Sequence, residues 1–257
     1  MKRSGMRAVS LLALAALTGC MPAAEGVPAD VSMPLEIREN MDQEVLNRLT
    51  EEPKYVALTF DDGPRADTTG PLLEGLAQRG VCATFFVIGQ QIPGNEALLR
   101  RMAADGHQIG NHTYTHARLL DERESTVIEE IGKTQVLLQE LLGEGAYWLR
   151  PPYGLIDSSR AALVKTPMIY WTLDPEDWKL LDSQKVVQEV LGCVQPGDII
   201  LLHDFYPTSV EAALRIVDEL LEDGYTFVTV EELFAIAGIE AQPGILYAAP
   251  DQVRTVR

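Results

Sequence analysis

Two adjacent carboxylates, Asp61 and Asp62, follow the apolar run Tyr55-Val56-Ala57-Leu58-Thr59-Phe60 and precede Gly63-Pro64. The run is rich in β-formers and reads as a buried strand, with Gly-Pro as the turn that ends it. Two acids side by side at the end of a buried strand repel each other. They are tolerated where something positive sits near them, and a metal ion is the commonest such thing. The plain alternative is a polar turn that caps a helix. The histidines shift the balance. The chain has four, and His112 and His116 lie four residues apart, so one helical turn or a tight loop would present both rings to one point. His112, His116 and His203 each follow an apolar, strand-like run, whereas His107 does not and reads as structural. One carboxylate with two imidazoles is a common ligand set for a catalytic metal with an open position. Such a set plus water suits zinc or cobalt, with nickel and manganese as alternatives.

The elements that must position these residues alternate. Strand patterns are expected over 55–60, 83–87, 108–110, 146–149, 168–172, 198–202 and 226–229. Helical patterns fall at 68–78, 95–104, 122–142, 158–164, 183–191, 209–221 and 231–236. Seven β-α units predict an α/β fold with a parallel sheet flanked by helices. Each chemically loaded stretch falls at the C-terminal end of a strand, where closed β/α barrels place their active sites. A doubly wound open sheet has the same pattern. Residues 239–257 carry Pro and Gly without a clear period and are expected to form a partly mobile surface extension.

The N-terminus reads as a targeting segment. Lys2, Arg3 and Arg7 precede a short apolar stretch ending at Leu17, which is too short for an ordinary membrane span. Leu17-Thr18-Gly19-Cys20 resembles a bacterial lipobox, in which Cys20 is lipidated and becomes the mature N-terminus. Residues 1–19 are therefore expected to be a signal peptide. Residues 20–52 would be a tether with a short helix around 42–49, and either reading of the cysteine implies export. The signal segment holds three of the 21 basic residues and none of the 38 acidic ones, so the remainder carries a net charge of −20. That charge argues against nucleic acid and against docking on anionic lipid through a basic patch; a neutral or amino-sugar polymer suits it better. Cys82 and Cys193 sit in apolar contexts, where a buried thiol is the default. An exported chain could pair them, but the sequence does not bring them together.

Five short motifs occur in order: Thr59–Pro64, His112–His116, Arg150-Pro151-Pro152-Tyr153-Gly154, Asp174-Pro175-Glu176-Asp177-Trp178 and Leu201-Leu202-His203. Together they resemble the polysaccharide deacetylase family, also called the NodB-homology or carbohydrate esterase 4 family. The resemblance spans about 53–236 and implies a single domain, over 53–238, built as an incomplete (β/α) barrel of seven to eight parallel strands. It also implies the roles. Asp61 would be the base; Asp62, His112 and His116 would hold the metal, with Thr113 bracing their loop by hydrogen bonds. The backbone N–H of Tyr153 would face the oxyanion, on a loop stiffened by two prolines. Arg150 would keep Asp61 ionised, and Asp177 would hold either Arg150 or His203, the general acid. Trp178, Leu201 and Tyr153 would wall the acetyl pocket. Taken alone, Arg150 and Asp177 could be a structural ion pair, Trp171 reads as core, and Asp174 and Glu176 read as loop surface or support.

Family members deacetylate chitin oligomers, peptidoglycan, poly-N-acetylglucosamine and xylan. The stretches from Val87 to Glu96, Gly106 to Asn111, His203 to Val210 and Gly224 to Val230 resemble peptidoglycan N-acetylglucosamine deacetylases. The expectation is thus a monomeric, lipid-anchored, metal-dependent enzyme on the extracytoplasmic face, acting on an acetylated amino-sugar polymer, peptidoglycan first, with poly-N-acetylglucosamine, chitin oligomers or acetylxylan as the alternative. The competing class is an inactive carbohydrate-binding lipoprotein. Such proteins lose the base or a ligand, and Asp61, Asp62, His112, His116 and His203 are all present here.

Overall fold

A computed structural model describes residues 53–256. The signal segment, Cys20, the tether and the helix expected around 42–49 lie outside these residues. Among the described residues, no helix is long and apolar enough to cross a membrane.

Strand β1 (Lys54–Asp61) is the centre of the molecule. It pairs in parallel with β2 (Thr84–Val87) and with β5 (Ile199–His203). Its first residues also pair with β6 (Tyr225–Phe227). Next to β2 lies β3 (Gln108–Asn111). Single parallel bridges then carry the ring onward: Asn111 to Leu149, Leu149 to Met168 of β4 (Met168–Ile169), and Leu173 back to Ile200. The result is the distorted α/β barrel expected, rather than an open sheet. The strand expected over 146–149 shrinks to Leu149 alone, because only that residue sits between two partners. Likewise β4 stops after two residues.

Alternation along β1 explains both the core and the site. Val56, Leu58 and Phe60 point out into a cluster with the helices. This cluster takes in Leu72, Leu73 and Leu76 of α1 (Thr69–Arg79), and Leu99 and Met102 of α2 (Glu96–Ala104). Leu138 of α3 (Glu124–Leu142) joins it, and past α4 (Ser158–Ala161) and α5 (Asp177–Leu180) it resumes with Val186, Val187 and Val190 of α6 (Ser183–Cys193). Ile216, Val217 and Leu220 of α7 (Pro207–Glu222) complete it. Each such aliphatic side chain contributes about 1.5–3 kcal/mol when fully buried. Ala57 points the other way and joins Phe86 and Ile199 inside the barrel. The next inward positions on β1 are Thr59 and then Asp61, so one parity fills the core and the other climbs to the chemistry.

The C-terminal stretch corrects an expectation. Residues 246–249 are strand β7 (Leu246–Ala249), parallel to β4, and Leu246, Tyr247 and Ala249 are buried. Tyr247 packs edge-on against Phe234 of α8 (Val230–Ile236). A short final strand, β8 (Gln252–Val253), runs back antiparallel beside β7. The Pro and Gly that suggested a loose extension mark the boundaries of this strand; Gly244 takes φ 75° just before it. The helix expected over 158–164 covers one turn, α4. Cys82 is buried, but Cys193 is an exposed free thiol at the end of α6, so those two residues do not pair.

Candidate active site

Register places the two ends of the chemistry together. Asp61 ends β1 and His203 ends β5, and the two are direct partners in the parallel ladder. β3 ends at Asn111, so His112 begins the loop above it. The turn after β1 is held from behind by Asp204, whose carboxyl is buried and accepts the hydroxyl proton of Thr69. A Cβ on residue 63 would come within 2.3 Å of that carboxyl, so only glycine lets the turn pack there. Burial, more than the nearby Asp62 and Asp61, raises the Asp204 pKa to about 7.

Arg150 is the largest fully buried side chain, 0% exposed, inside the barrel. Its Nη1 donates to Asp61 Oδ1 at 2.8 Å and to Thr59 Oγ1 at 2.7 Å, and its Nη2 donates to the Tyr170 carbonyl at 2.8 Å. The Phe86 ring lies 4.1 Å below the guanidinium. Burial alone would raise the pKa of Asp61. Arg150, with smaller contributions from His112 and His203, outweighs it and holds the carboxyl below its usual range.

Asp62, His112 and His116 converge, their ligand atoms all within 4.8 Å of one another. Asp62 Oδ1 is 3.5 Å from His112 Nε2 and 3.4 Å from His116 Nε2. Ligands about 2.0–2.1 Å from a tetrahedral ion stand about 3.3 Å apart, so the spacing fits a divalent ion. The donor chemistry fits too. Asp62 Oδ1 is buried with no hydrogen-bond partner among the described residues. His112 Nδ1 lies 2.7 Å from the Arg150 carbonyl, which can only accept; that fixes the hydrogen on Nδ1 and leaves the Nε2 lone pair facing Asp62. Burial, then the neighbouring His112, lowers the pKa of His116 and favours its neutral, ligating form. The two histidines sit on a tight loop, not a helical turn. Its backbone is left-handed at Thr113 (φ 65°) and His116 (φ 62°), as it is at Asp62 (φ 75°) and Tyr153 (φ 60°). Thr113 braces this loop through its backbone: its N–H donates to Asn111 Oδ1 at 2.8 Å and its carbonyl accepts from Gly89. Its hydroxyl makes no hydrogen bond among the described residues.

Asp177 holds His203, not Arg150. Asp177 Oδ1 lies 2.8 Å from His203 Nδ1, and Oδ2 accepts the His203 backbone N–H at 2.9 Å. Burial acts to lower the pKa of His203, but the Asp177 hydrogen bond and charge, with Asp61 and Asp62 behind, raise it to about 9.

A cavity of about 360 Å³ opens over these groups, lined by the triad, Asp61 and His203, with Tyr153, Trp178 and Leu201 in its wall. Tyr153 and Trp178 stand at the rim, 57% and 48% exposed. The cavity also includes Trp171, expected in the core, Asp174, expected on the loop surface or in support, and Tyr206, to which the sequence assigned no role. Trp171 is half-buried cavity wall rather than core, stacked on Tyr170 at 3.8 Å between centroids. Gly154 lies so close to that stack that a Cβ would meet Tyr170 at 2.0 Å. The adjacency of Asp204 to His203 was the one sequence signal for its role. A larger cleft, about 460 Å³, lies at the other end of the strands around His107 and Tyr147. Among the described residues it contains no group of convergent metal ligands.

An α/β barrel with a buried carboxylate, a paired imidazole and a cluster of three possible metal ligands at its strand ends has the make-up of a hydrolase scaffold. The polysaccharide deacetylase family matches residues 48–169. A Bacillus cereus peptidoglycan-N-acetylglucosamine deacetylase is 37% identical over 186 residues, 70% of this chain and 68% of that protein. The chain belongs to the polysaccharide deacetylase family. The Listeria monocytogenes peptidoglycan-N-acetylglucosamine deacetylase PgdA is 35% identical over 204 residues, 79% of this chain and 43% of that protein. The chain thus spans less than half the length of that relative. Among solved structures, a family 4 acetyl xylan esterase from Clostridium thermocellum, in complex with a cobalt ion, matches with a TM-score of 0.73 at 32% identity. That match covers 77% of this chain and 100% of the esterase chain.

Proposed function

We propose that this protein is a metal-dependent hydrolase that removes N-acetyl groups from N-acetylglucosamine residues of peptidoglycan. The observation that carries the reading is the placement of Asp61 and His203 as ladder partners beside the Asp62–His112–His116 cluster. Asp62, His112 and His116 would hold the ion, zinc on the chemistry of the donors. When bound, such an ion polarises an acetamide carbonyl and acidifies water.

The protein's own groups supply the rest. Asp61, kept ionised by Arg150, takes a proton from the attacking water. The cationic form of His203, kept by Asp177, gives a proton to the departing nitrogen, which an amide needs in order to leave. The Tyr153 backbone N–H would face the developing oxyanion. Leu201, Tyr153 and Trp178 give the acetyl methyl an apolar place against which water is excluded.

Acetate release from purified peptidoglycan, chitin oligomers and acetylxylan, each with and without chelator, tests the reading. Expected is chelator-sensitive release, fastest from peptidoglycan. Release from acetylxylan alone would make the protein an esterase, and undiminished release from a metal-stripped preparation would remove the ion. Sugar binding with no release from any of them would leave a binding protein.

We also propose export and a lipid anchor on Cys20, on the strength of the Leu17–Cys20 sequence. Cys20→Ala should move the protein out of membrane fractions or leave it uncleaved. A mature N-terminus elsewhere, without lipid, would refute the anchor.

A further inference from the structure

Glu130 lies in the middle of α3, where a carboxylate ordinarily faces water. Here it is 9% exposed. It falls on the buried stripe of the helix with Val127, Thr134 and Leu138, an acid at core spacing that needs a partner. Its partners all come from the loop that carries the two histidines. Oε2 accepts the backbone N–H groups of Tyr114 and Thr115 at 3.0 and 2.8 Å, and Oε1 accepts the Thr115 hydroxyl at 3.0 Å. One residue along the helix, the Ile131 carbonyl accepts from Asn111 Nδ2 at 3.0 Å, while Asn111 Oδ1 holds the Thr113 N–H. Both halves of the loop are therefore tied to one turn of α3.

We infer that Glu130 is a positioning residue for metal binding: it holds the 113–116 loop in its left-handed turns and so keeps His116 beside Asp62. Left-handed backbone is strained for a non-glycine residue, so Thr113 and His116 persist only because something over-determines them. Three hydrogen bonds reaching one buried side chain are that constraint. Without them the loop relaxes, and the 3.4 Å spacing of His116 Nε2 and Asp62 Oδ1 is the first distance to open. The inference rests on the proposal that Asp62, His112 and His116 hold an ion.

The test separates reach from charge. Cobalt(II) affinity of the chelator-stripped protein is titrated by absorbance, and zinc by competition. Glu130→Ala should weaken binding about 10–100-fold, the scale for a group that orients a ligand. Glu130→Asp keeps the charge but falls one methylene short, and should weaken binding similarly. Glu130→Gln loses the charge but presents an amide oxygen to the two N–H groups, and should stay within about threefold of the parent protein. In a His116→Ala background, Glu130→Ala should cause no further loss, because its effect passes through that ligand. Wild-type affinity in Glu130→Ala, an Asp variant that binds better than the Gln variant, or an undiminished loss in the His116→Ala background would each overturn the inference. If Glu130→Ala fails to fold, the Asp and Gln pair decides. A parent protein that binds neither ion would sink the metal reading itself, and this inference with it.

Discussion

His203 and His107 sit at opposite ends of the parallel strands and differ mainly in one partner. Both are largely buried, and burial pushes both towards the neutral form. His107 Nδ1 accepts the Ala83 backbone N–H at 3.0 Å, so that nitrogen carries no hydrogen and a second proton has nowhere to go. Its pKa falls to about 4. Asp177, by contrast, can only accept from His203 Nδ1. That leaves His203 Nε2 to carry the mobile proton, with the pKa raised to about 9. Burial alone takes His107 down; for His203 the same burial is outweighed by a carboxylate. The Asp177 carboxylate at His203 Nδ1 makes the difference.

The largest test of that contrast is kinetic. His203→Ala should lower amide hydrolysis by about 10²-fold or more and spare an aryl acetate, whose leaving group needs no proton. Asp61→Asn should damage both substrates alike. Equal losses on the two substrates for His203→Ala would turn His203 into a positioning group. Asp177→Asn sharpens the comparison by making the partner of His203 resemble that of His107. The falling alkaline limb of kcat/KM should then move to lower pH, since the cation loses the charge that holds its proton; an unmoved limb would detach Asp177 from the acid.

A smaller effect belongs to His107. Its folded pKa lies below the ordinary value of 6.5, so its neutral form stabilises the fold fully above about 6.5. That stability is lost as the pH falls towards 4, about 2 kcal/mol of it by pH 5. The sign is reversed for His203, whose ion pair stabilises below 6.5 and is lost as the pH rises through about 9. His107→Asn can keep an acceptor for the Ala83 N–H but does not titrate. It should narrow the difference in urea midpoint between pH 7 and pH 5 and leave activity within about twofold. An unchanged difference would show that another group sets the acid limb.

The five motifs were legible because the candidate catalytic groups sit at the ends of apolar strands, where periodicity breaks and polar residues stand out. Asp61 and His203 are 142 positions apart, yet each was visible as the residue that ends a buried run. Support from a distance was not legible. Glu130 looked like one more acid on a charged helix, and only its spacing from Val127 and Thr134 marked it. Trp171 passed as core because half-burial in a cavity wall and full burial look alike in one sequence. Leu246–Ala249 was overlooked because a four-residue strand between Pro and Gly has too few residues to show a period. The single-residue bridge at Leu149 has none at all.

Among the described residues, four of the six non-glycine residues with positive φ, namely Asp62, Thr113, His116 and Tyr153, belong to the site. That distribution sets a conflict for anyone who breeds this protein for hardiness. A library screened on heat survival alone should enrich glycine at Thr113 and Tyr153, since glycine accepts that backbone freely. The survivors would hold a looser loop and a barer rim. Selection on turnover should drive the same positions back, so endurance and activity would be traded at a few backbone angles rather than across the core.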